Sequence, residues 1–342
     1  MINIRAATQA DIAGFNRIYN QPSVRRFTLG LPFESLRNSI AFFEKGASLR
    51  TSLVACGADG AVLGEASLVR NASPRRAHVG SLGLMVAEEA RRQGIARALL
   101  NALLDLADNW LNLHRLELGV FTNNDAAIRL YKSLGFEIEA TWRHYAMQDG
   151  VLADCHLMAR LRPGLAIDQS APPPRPPPEP RQNFTLRGVE PEDLPAITAL
   201  MNLPGVRHGT LRLPFGAEAT ARHHADPPDD IRGIVAMVAG TAIGLATLMP
   251  RKGRRMHSAY LSVLAVHDSY HGQGIGRALL ESALDIADNW LGVSRVDLGV
   301  LADNQHAIRL YEAFGFETEG TLRADVFRQG AYADALTMAR LR

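Results

Sequence analysis

The stretch GIARALLNALLDLADNWL, beginning at Gly94, recurs as GIGRALLESALDIADNWL, beginning at Gly274. Further on, NNDAAIRLYKSLGFEIEATWR around Tyr131 recurs as DNQHAIRLYEAFGFETEGTLR around Tyr311. The two offsets agree, 274 − 94 = 180 and 311 − 131 = 180. Nearer the start of each copy, Asn20-Gln21-Pro22-Ser23-Val24 parallels Asn202-Leu203-Pro204-Gly205-Val206, and Leu31-Pro32-Phe33 parallels Leu213-Pro214-Phe215, at an offset of 182. Solenoid units repeat every 20–50 residues or so, far less than this period. The chain therefore reads as a duplicated domain, and 342 residues suit two domains of about 160 to 170. Between the copies, APPPRPPPEPR runs from Ala171 to Arg181. Its prolines cannot continue a helix or donate to a sheet, so the segment is expected to be an extended polyproline II spacer of roughly 3.1 Å per residue. The expected layout is a first domain over 1–162, a linker over 163–182 and a second domain over 183–342.

Within a copy, Ile2 to Ala6 has the pattern of a short strand. Asp11 is placed to cap a helix reaching Tyr19, and a second helix is expected after Pro32. Three β-rich runs follow, Ser52–Cys56, Val62–Val69 and Val79–Val86, separated by turn residues. From Gln93 the apolar period changes to 3.6, with Ile95, Leu99, Ala102, Leu103, Leu106 and Trp110 expected on one helix face. Leu116 to Phe121 returns to strand, Asn124 to Leu134 is helical with Gly135 as its stop, and two strands run to about Leu161. The fold class is α/β (α+β), with one mixed sheet flanked by helices in each copy.

Composition narrows the partners. Lys plus Arg number 37 against 35 Asp plus Glu, a net charge of +2. That balance leaves no electrostatic footprint for nucleic acid or an anionic membrane. Cys56 and Cys155 lack metal-type or CxxC spacing, so neither a metal site nor a disulfide framework is expected, and a reducing cytoplasm is the expected compartment. The first residues lack a signal-peptide core, and no run of about 18 apolar residues is present.

Two elements carry chemistry. Arg91-Arg92-Gln93-Gly94-Ile95-Ala96 joins a strand to a long helix, and His271-Gly272-Gln273-Gly274-Ile275-Gly276 is its counterpart. A helix N-terminus leaves about four N–H groups without intrahelical partners and carries roughly half a positive charge. Small residues let a pyrophosphate approach those amides, although a tight strand-to-helix connection alone would need the same glycine. The run is neither a Walker A loop nor a GxGxxG fingerprint. The second element places Asn124 at a helix start and Tyr131 two turns later, matched by Asn304 and Tyr311. In isolation these are an N-cap and an amphipathic core residue. Their combination with the glycine turn, twice and at one spacing, is specific.

With these residues in place, both copies resemble the GNAT family of N-acetyltransferases almost throughout. In detail the chain is most similar to the small bacterial group that acetylates free amino acids, through the QP-V, RR-H, DNWL and GFE-EGT-R segments and the closing D-x-x-x-MAR (Asp154 to Arg160, Asp334 to Arg340). The resemblance implies acetyl-CoA as co-substrate, with its pyrophosphate on the turns Arg91 to Ala96 and His271 to Gly276. His271 stands where the family has Arg or Gln. Backbone groups of Leu84, Met85 and Val86, and of Leu264, Ala265 and Val266, would hold the pantetheine arm, helped by Asn124 and Asn304. Tyr131 and Tyr311 would protonate the leaving thiolate. One extra residue between His257 and Gly274, relative to His78 and Gly94, predicts a different β-bulge in that strand of the second copy.

No strand before the turn carries Asp or Glu: it reads SLGLMV in one copy and YLSVLAV in the other. Glu117 and Asp297, on the next strand, are candidate bases acting through water. His78 and His257 are candidates for proton relay or acceptor binding, and Arg76 and Arg255 for an acceptor carboxylate, with Arg25 and Arg207 as a second such pair. The Leu-Pro-Phe segments could wall an apolar side chain. Deprotonating a lysine-like amine of pKa about 10.4 at pH 7 costs roughly 4.6 kcal/mol, against about 1.1 for a peptide-type α-amine near 7.8. A site without a strong base therefore leans toward α-amines. The expected acceptor is the primary amine of a small molecule, an L-amino acid; a drug, a herbicide-like amino acid or a peptide N-terminus are alternatives. A further alternative makes one half a non-catalytic acetyl-CoA-binding partner domain. The expected assembly is a monomer with pseudo-dimeric halves or a homodimer.

Overall fold

The computed structural model describes residues 2–45, 47–168, 173–174 and 176–342. It divides into two compact units, Met1–Leu165 and Ala166–Arg342. The first contains β1 (Asn3–Ala6), α1 (Ile12–Tyr19), α2 (Pro22–Arg25), α3 (Leu36–Glu44), β2 (Arg50–Cys56), β3 (Val62–Arg70), β4 (Val79–Val86), α4 (Ile95–Asp105), β5 (Arg115–Phe121), α5 (Asp125–Lys132), β6 (Glu137–Gln148) and β7 (Val151–Leu161). The second repeats that order as β8 (Thr185–Gly188), α6 (Leu194–Met201), α7 (Pro204–His208), α8 (Glu218–Ala225), β9 (Arg232–Val238), β10 (Thr241–Pro250), β11 (Ser258–Val266), α9 (Ile275–Asp285), β12 (Arg295–Leu301), α10 (Gln305–Glu312), β13 (Glu317–Arg328) and β14 (Ala331–Leu341).

In the first unit the strands lie in the order β1-β2-β3-β4-β5-β7-β6, and in the second β8-β9-β10-β11-β12-β14-β13. All neighbours are antiparallel except β4–β5 and β11–β12. Those parallel pairs hold for only three residues each, Val79–Ser81 against Arg115–Glu117 and Ser258–Tyr260 against Arg295–Asp297, and then part. The split in the sheet between β4 and β5 is what positions the site.

Alternation decides the faces. Ala66, Leu68, Leu116, Leu118 and Val120 turn toward α4, whose Ile95, Leu99 and Leu103 complete the larger core. Burying each such leucine is worth about 2 kcal/mol. The opposite face packs Val54 and Cys56 on Ile12 and Phe15 of α1, with Ile40 and Phe43 of α3 against them.

Several details differ from the sequence expectation. Asp11 is the N-cap residue of α1 as expected, but its side chain does not cap that helix. It closes a box with Thr8 on the preceding 3-10 turn Gln9–Asp11, accepting from the Thr8 N–H at 2.8 Å, and pairs with Arg5. Trp110 lies off the apolar face and is 75% exposed. A π-turn over Leu106–Trp110 rotates the last turn of α4 outward. That turn presents Asp108 to Arg160, which grips it with two hydrogen bonds of 2.8 and 2.9 Å. Asp288 and Arg340 repeat the pairing. Asp154 accepts the His144 N–H where β6 bulges, and Asp334 does so for Ala324. The DNWL and D-x-x-x-MAR segments thus fasten strands and helix end together.

The second copy carries the anticipated bulge. Thr247 pairs with Val263 and Leu248 with Leu261, leaving Ser262 unmatched, whereas β3 and β4 pair without a break. The polyproline expectation falls partly outside the described residues, at Ala171, Pro172 and Arg175. The segment's later part lies against the second unit: Gln273 donates to the Glu179 carbonyl at 2.9 Å, and the Glu179 N–H donates to Ser269 at 2.8 Å.

Candidate active site

Each turn ends a strand and opens a helix through left-handed backbone. Gly94 and Gly274 occupy φ +81 and +87 at the N-cap positions of α4 and α9. A side chain there would be strained although nothing crowds it. Two residues earlier, Arg92 adopts φ 59 where the second copy has Gly272 at φ 77. The turns therefore share one shape with different residues. In the first unit Arg91, Arg92, Gln93 and Gly94 are exposed and Ile95 is buried. The amides of the opening helical turn face outward, as an anion site needs. His271 instead folds back, its Nε2 3.1 Å from the Val266 carbonyl.

Asn124 and Asn304 cap α5 and α10 through their side-chain oxygens, each accepting from an N–H at 3.3 Å. Tyr131 and Tyr311 are buried against Phe136 and Phe316. Burial pushes the Tyr131 hydroxyl up to about 12 and raises that of Tyr311, the latter with help from Tyr260. In the second unit Leu264, Val266, Gly274, Gly276, Asn304 and Tyr311 line a single cleft of about 430 Å³. Beyond the three paired residues, β4 keeps β3 on one side through Leu84, Met85 and Val86, and alternate backbone groups on its other side face the split. The bulge at Ser262 changes which residues of β11 do so.

The candidate bases and acceptor cations meet one another. Arg76 donates to both oxygens of Glu117 at 3.1 Å, and buried Arg115 donates to Glu117 at 3.1 Å while pairing with Glu139 at 2.7 Å. In the second unit Arg251 donates to Asp297 at 3.1 Å and Arg255 approaches it at 3.8 Å, while Arg295 clasps Glu319. The carbonyls of His78 and His257 receive the N–H groups of Arg115 and Arg295, so these histidines sit where β4–β5 and β11–β12 are joined. The eight residues of β4 place His78 about 26 Å of strand from the far end. Arg25 donates to the Asn20 carbonyl at 3.2 Å. The Leu-Pro-Phe segments expose their aromatic ring, Phe33 at 93% and Phe215 at 96%.

One carboxyl went unnoticed in the sequence: Glu65, on β3. It pairs with Met85 on one side and Val54 on the other, on the face turned away from α4. Its signal was a charged residue inside the otherwise apolar run Val62–Val69, on a strand the motif comparison did not cover.

Among the described residues no cluster of His, Cys, Asp or Glu could hold a metal ion, and no helix is long and apolar enough to cross a membrane. In the second unit the helix N-terminus, the end of the strand that parts from its neighbour and the buried Tyr311 share one cleft, an arrangement suited to an anionic co-substrate. The chain belongs to the acetyltransferase (GNAT) family, whose sequence profile matches residues 15–136 and 204–316, more than half its length and once per unit. It is 37% identical over 161 residues to the L-amino acid N-acetyltransferase AaaT of Escherichia coli (strain K12), covering 47% of this chain and 98% of that protein. It is 28% identical over 159 residues to the spermidine N(1)-acetyltransferase of Vibrio cholerae, covering 45% and 91%. A solved acetyltransferase from Salmonella typhimurium with acetyl-CoA bound is 26% identical, with a TM-score of 0.44 over 51% of this chain and 98% of that one. This protein is accordingly a GNAT N-acetyltransferase acting on amines.

Proposed function

We propose that the protein transfers an acetyl group from acetyl-CoA to the primary amine of a small molecule, an L-amino acid, in domains spanning 1–162 and 183–342 joined by the 163–182 linker. The observation that carries the reading is the split between β4 and β5 above the turn at Gly94, repeated above Gly274, in a chain 37% identical to an L-amino acid N-acetyltransferase. Backbone amides at Arg91 to Ala96 and His271 to Gly276 hold the pyrophosphate. Leu84 to Val86 and Leu264 to Val266, with Asn124 and Asn304, hold the pantetheine.

The neutral amine attacks the thioester carbonyl, whose developing oxyanion is met by strand N–H groups at the split. As the C–S bond breaks, Tyr131 gives its proton to sulfur and regains one from the nitrogen. With the hydroxyl at about 12 and a thiol near 8.5, a transfer that left a tyrosinate would be uphill by roughly 4.8 kcal/mol. The proton must therefore be replaced as it is given.

The test is acetylation of an amine panel at neutral pH, read by mass spectrometry. An α-amino acid acetylated fastest supports the reading. Faster turnover of spermidine, protein lysine, a drug or a peptide N-terminus would replace its acceptor, and no turnover of any amine would overturn it.

A further inference from the structure

The mechanism above needs a neutral amine, and the acceptor side of the first unit carries an unused group that supplies one. Ser52, Ser67 and Gly83 stand in register across β2, β3 and β4, and Val54, Glu65 and Met85 form the next rank on the same face. The Glu65 carboxyl is half-buried. Val54 and Met85 beside it pack with Ile12 and Phe15 of α1 and Ile40 and Phe43 of α3. Gly83 leaves β4 bare where the strand has just parted from β5 after Ser81. A Cβ there would stand 2.9 Å from the Ser67 hydroxyl. Ser67, whose hydroxyl also bonds the Glu65 carboxylate, thus stands over β4 where that strand parts from β5.

The charges around it are few. Arg50 on β2 is the cation whose field reaches Glu65, and its guanidinium lies over the Phe42 ring at 4.4 Å. Arg17 of α1 is engaged with Glu89 and the Val62 carbonyl, and Asp11 with Arg5. Arg37 and Glu44 of α3 are exposed. Burial pushes the Glu65 carboxyl up to about 7, against the pull of Ser52, Arg50 and Ser67.

The second unit is built differently at each of these places. Leu245 pairs with Val235 and Ala265 as Glu65 does with Val54 and Met85, and Gly233, Thr247 and Val263 replace Ser52, Ser67 and Gly83. Leu245 is 0% exposed, in a core with Ile197, Leu200, Ala221 and Ala225.

From this geometry we infer that Glu65 is the proton acceptor of the first unit's site, and that the second unit has no equivalent. The inference rests on the amine acetylation proposed above. The Glu65 carboxylate takes one proton from the acceptor's ammonium group. The freed lone pair forms the C–N bond while the C–S pair leaves on sulfur. Of the two protons left on nitrogen, one stays in the amide and the other reaches sulfur through Tyr131, and Glu65 returns its own to water. A base that titrates near working pH is the efficient choice.

The experiment uses the full chain carrying Gly276→Glu. A Cβ at that position meets Val266 and Leu310 at ordinary contact distances of 3.6 and 3.7 Å, and the carboxylate occupies the second unit's anion site, so turnover reports the first. Into this parent are placed Glu65→Gln, Glu65→Asp and Glu65→Leu, the last repeating the second unit's residue should the amide unfold. Acetylation of an α-amino acid is followed from about pH 5 to about pH 9. The expected result is a kcat at neutral pH lower by about 100-fold or more in the Gln and Leu variants. The plateau above pH 7 should give way to a rate rising about tenfold per pH unit, with partial rescue by Asp and an unchanged KM for acetyl-CoA. An unchanged pH profile in a folded variant overturns the inference while leaving the acetylation intact. A parent chain that acetylates no amine overturns both.

Discussion

In the first unit the strands under α1 and α3 carry Ser52, Glu65, Ser67 and Gly83; in the second the same positions hold Gly233, Leu245, Thr247 and Val263. Both units keep the left-handed glycine of the turn and the buried tyrosine, with the Ser262 bulge and the folded-back His271 as the differences there. On the assignment proposed above, duplication has kept the half of the site that would hold the cofactor and altered the half that would receive the acceptor. The consequence is chemical. On the proposed mechanism a carboxyl near 7, one strand from the split, lowers the cost of using a basic amine, and a leucine at the same place offers nothing to an ammonium group. The second unit's face is filled by its own helices, and its turn is the one the linker touches at Gln273.

The sharpest division between the units should appear in binding. Ala96→Glu and Gly276→Glu each set a carboxylate at the opening turn of a helix, where it suits the helix dipole but repels a pyrophosphate. Calorimetric titration with acetyl-CoA should give two sites in the parent chain, one in each variant and none in the double variant. A loss of about 100-fold in affinity at the altered site is expected, roughly 2.7 kcal/mol. Two sites surviving in either variant would refute the assignment of the turns. Catalysis should divide less evenly. Tyr131→Phe should lower kcat by about 100-fold with acetyl-CoA binding unchanged, whereas Tyr311→Phe should leave amino-acid turnover within about a factor of two. Equal losses from the two changes would mean that Leu245 does not silence the second unit.

These contrasts show how far sequence could carry the reading. Element order and the turn were accessible because glycines, caps and apolar periods are local signals, and the repeat doubled each of them. The extra residue in β11 was countable, so its bulge could be foreseen, though not that Ser262 would be the unmatched residue. The Asp108–Arg160 fork and the Asp154 bond to the β6 bulge were visible only as motif letters, because both join elements distant in the chain. Glu117 drew attention by lying on the strand after the turn. Its engagement with Arg76 and Arg115 comes from three residues converging on one sheet face. Glu65 was hidden for the converse reason: its surroundings come from side chains of α1, α3, β2 and β4 that only the sheet pairing and helix packing bring together.

Stability should distinguish the same positions. The Glu65 carboxyl is raised from its ordinary range to about 7 in the folded protein. The folded state therefore holds this proton more tightly than the unfolded chain, and stability falls as pH rises from about 4.5 through 7. Glu65→Leu should leave the first unit unchanged near pH 4 and more stable than wild type above pH 7, by up to about 3 kcal/mol. The mirror change, Leu245→Glu, should destabilise the second unit most above pH 7. Denaturant unfolding at the two pH values checks both. A benefit of Glu65→Leu that does not grow with pH would show that the carboxyl is well solvated.

The smallest expected effect tests a feature the copies share. Phe33 and Phe215 hold left-handed backbone, φ 62 and 59, with their rings almost wholly in solvent. Such a conformation costs a non-glycine residue about 1 kcal/mol or more, and an exposed ring recovers little of it by burial. Glycine would relax the strain but adds backbone freedom to the unfolded chain, so Phe33→Gly and Phe215→Gly should each change stability by no more than about 0.5 kcal/mol. If the rings only decorate the loops, neither change alters kinetics. If Phe33 walls the acceptor cleft, its loss should raise KM for a phenylalanine or methionine acceptor by about tenfold with kcat kept, because the interaction is made equally in ground and transition states. Alanine as acceptor should scarcely notice, having no side chain to reach the wall. Phe215→Gly should be silent for every acceptor, since the face beneath it is already filled by Leu245 and its neighbours.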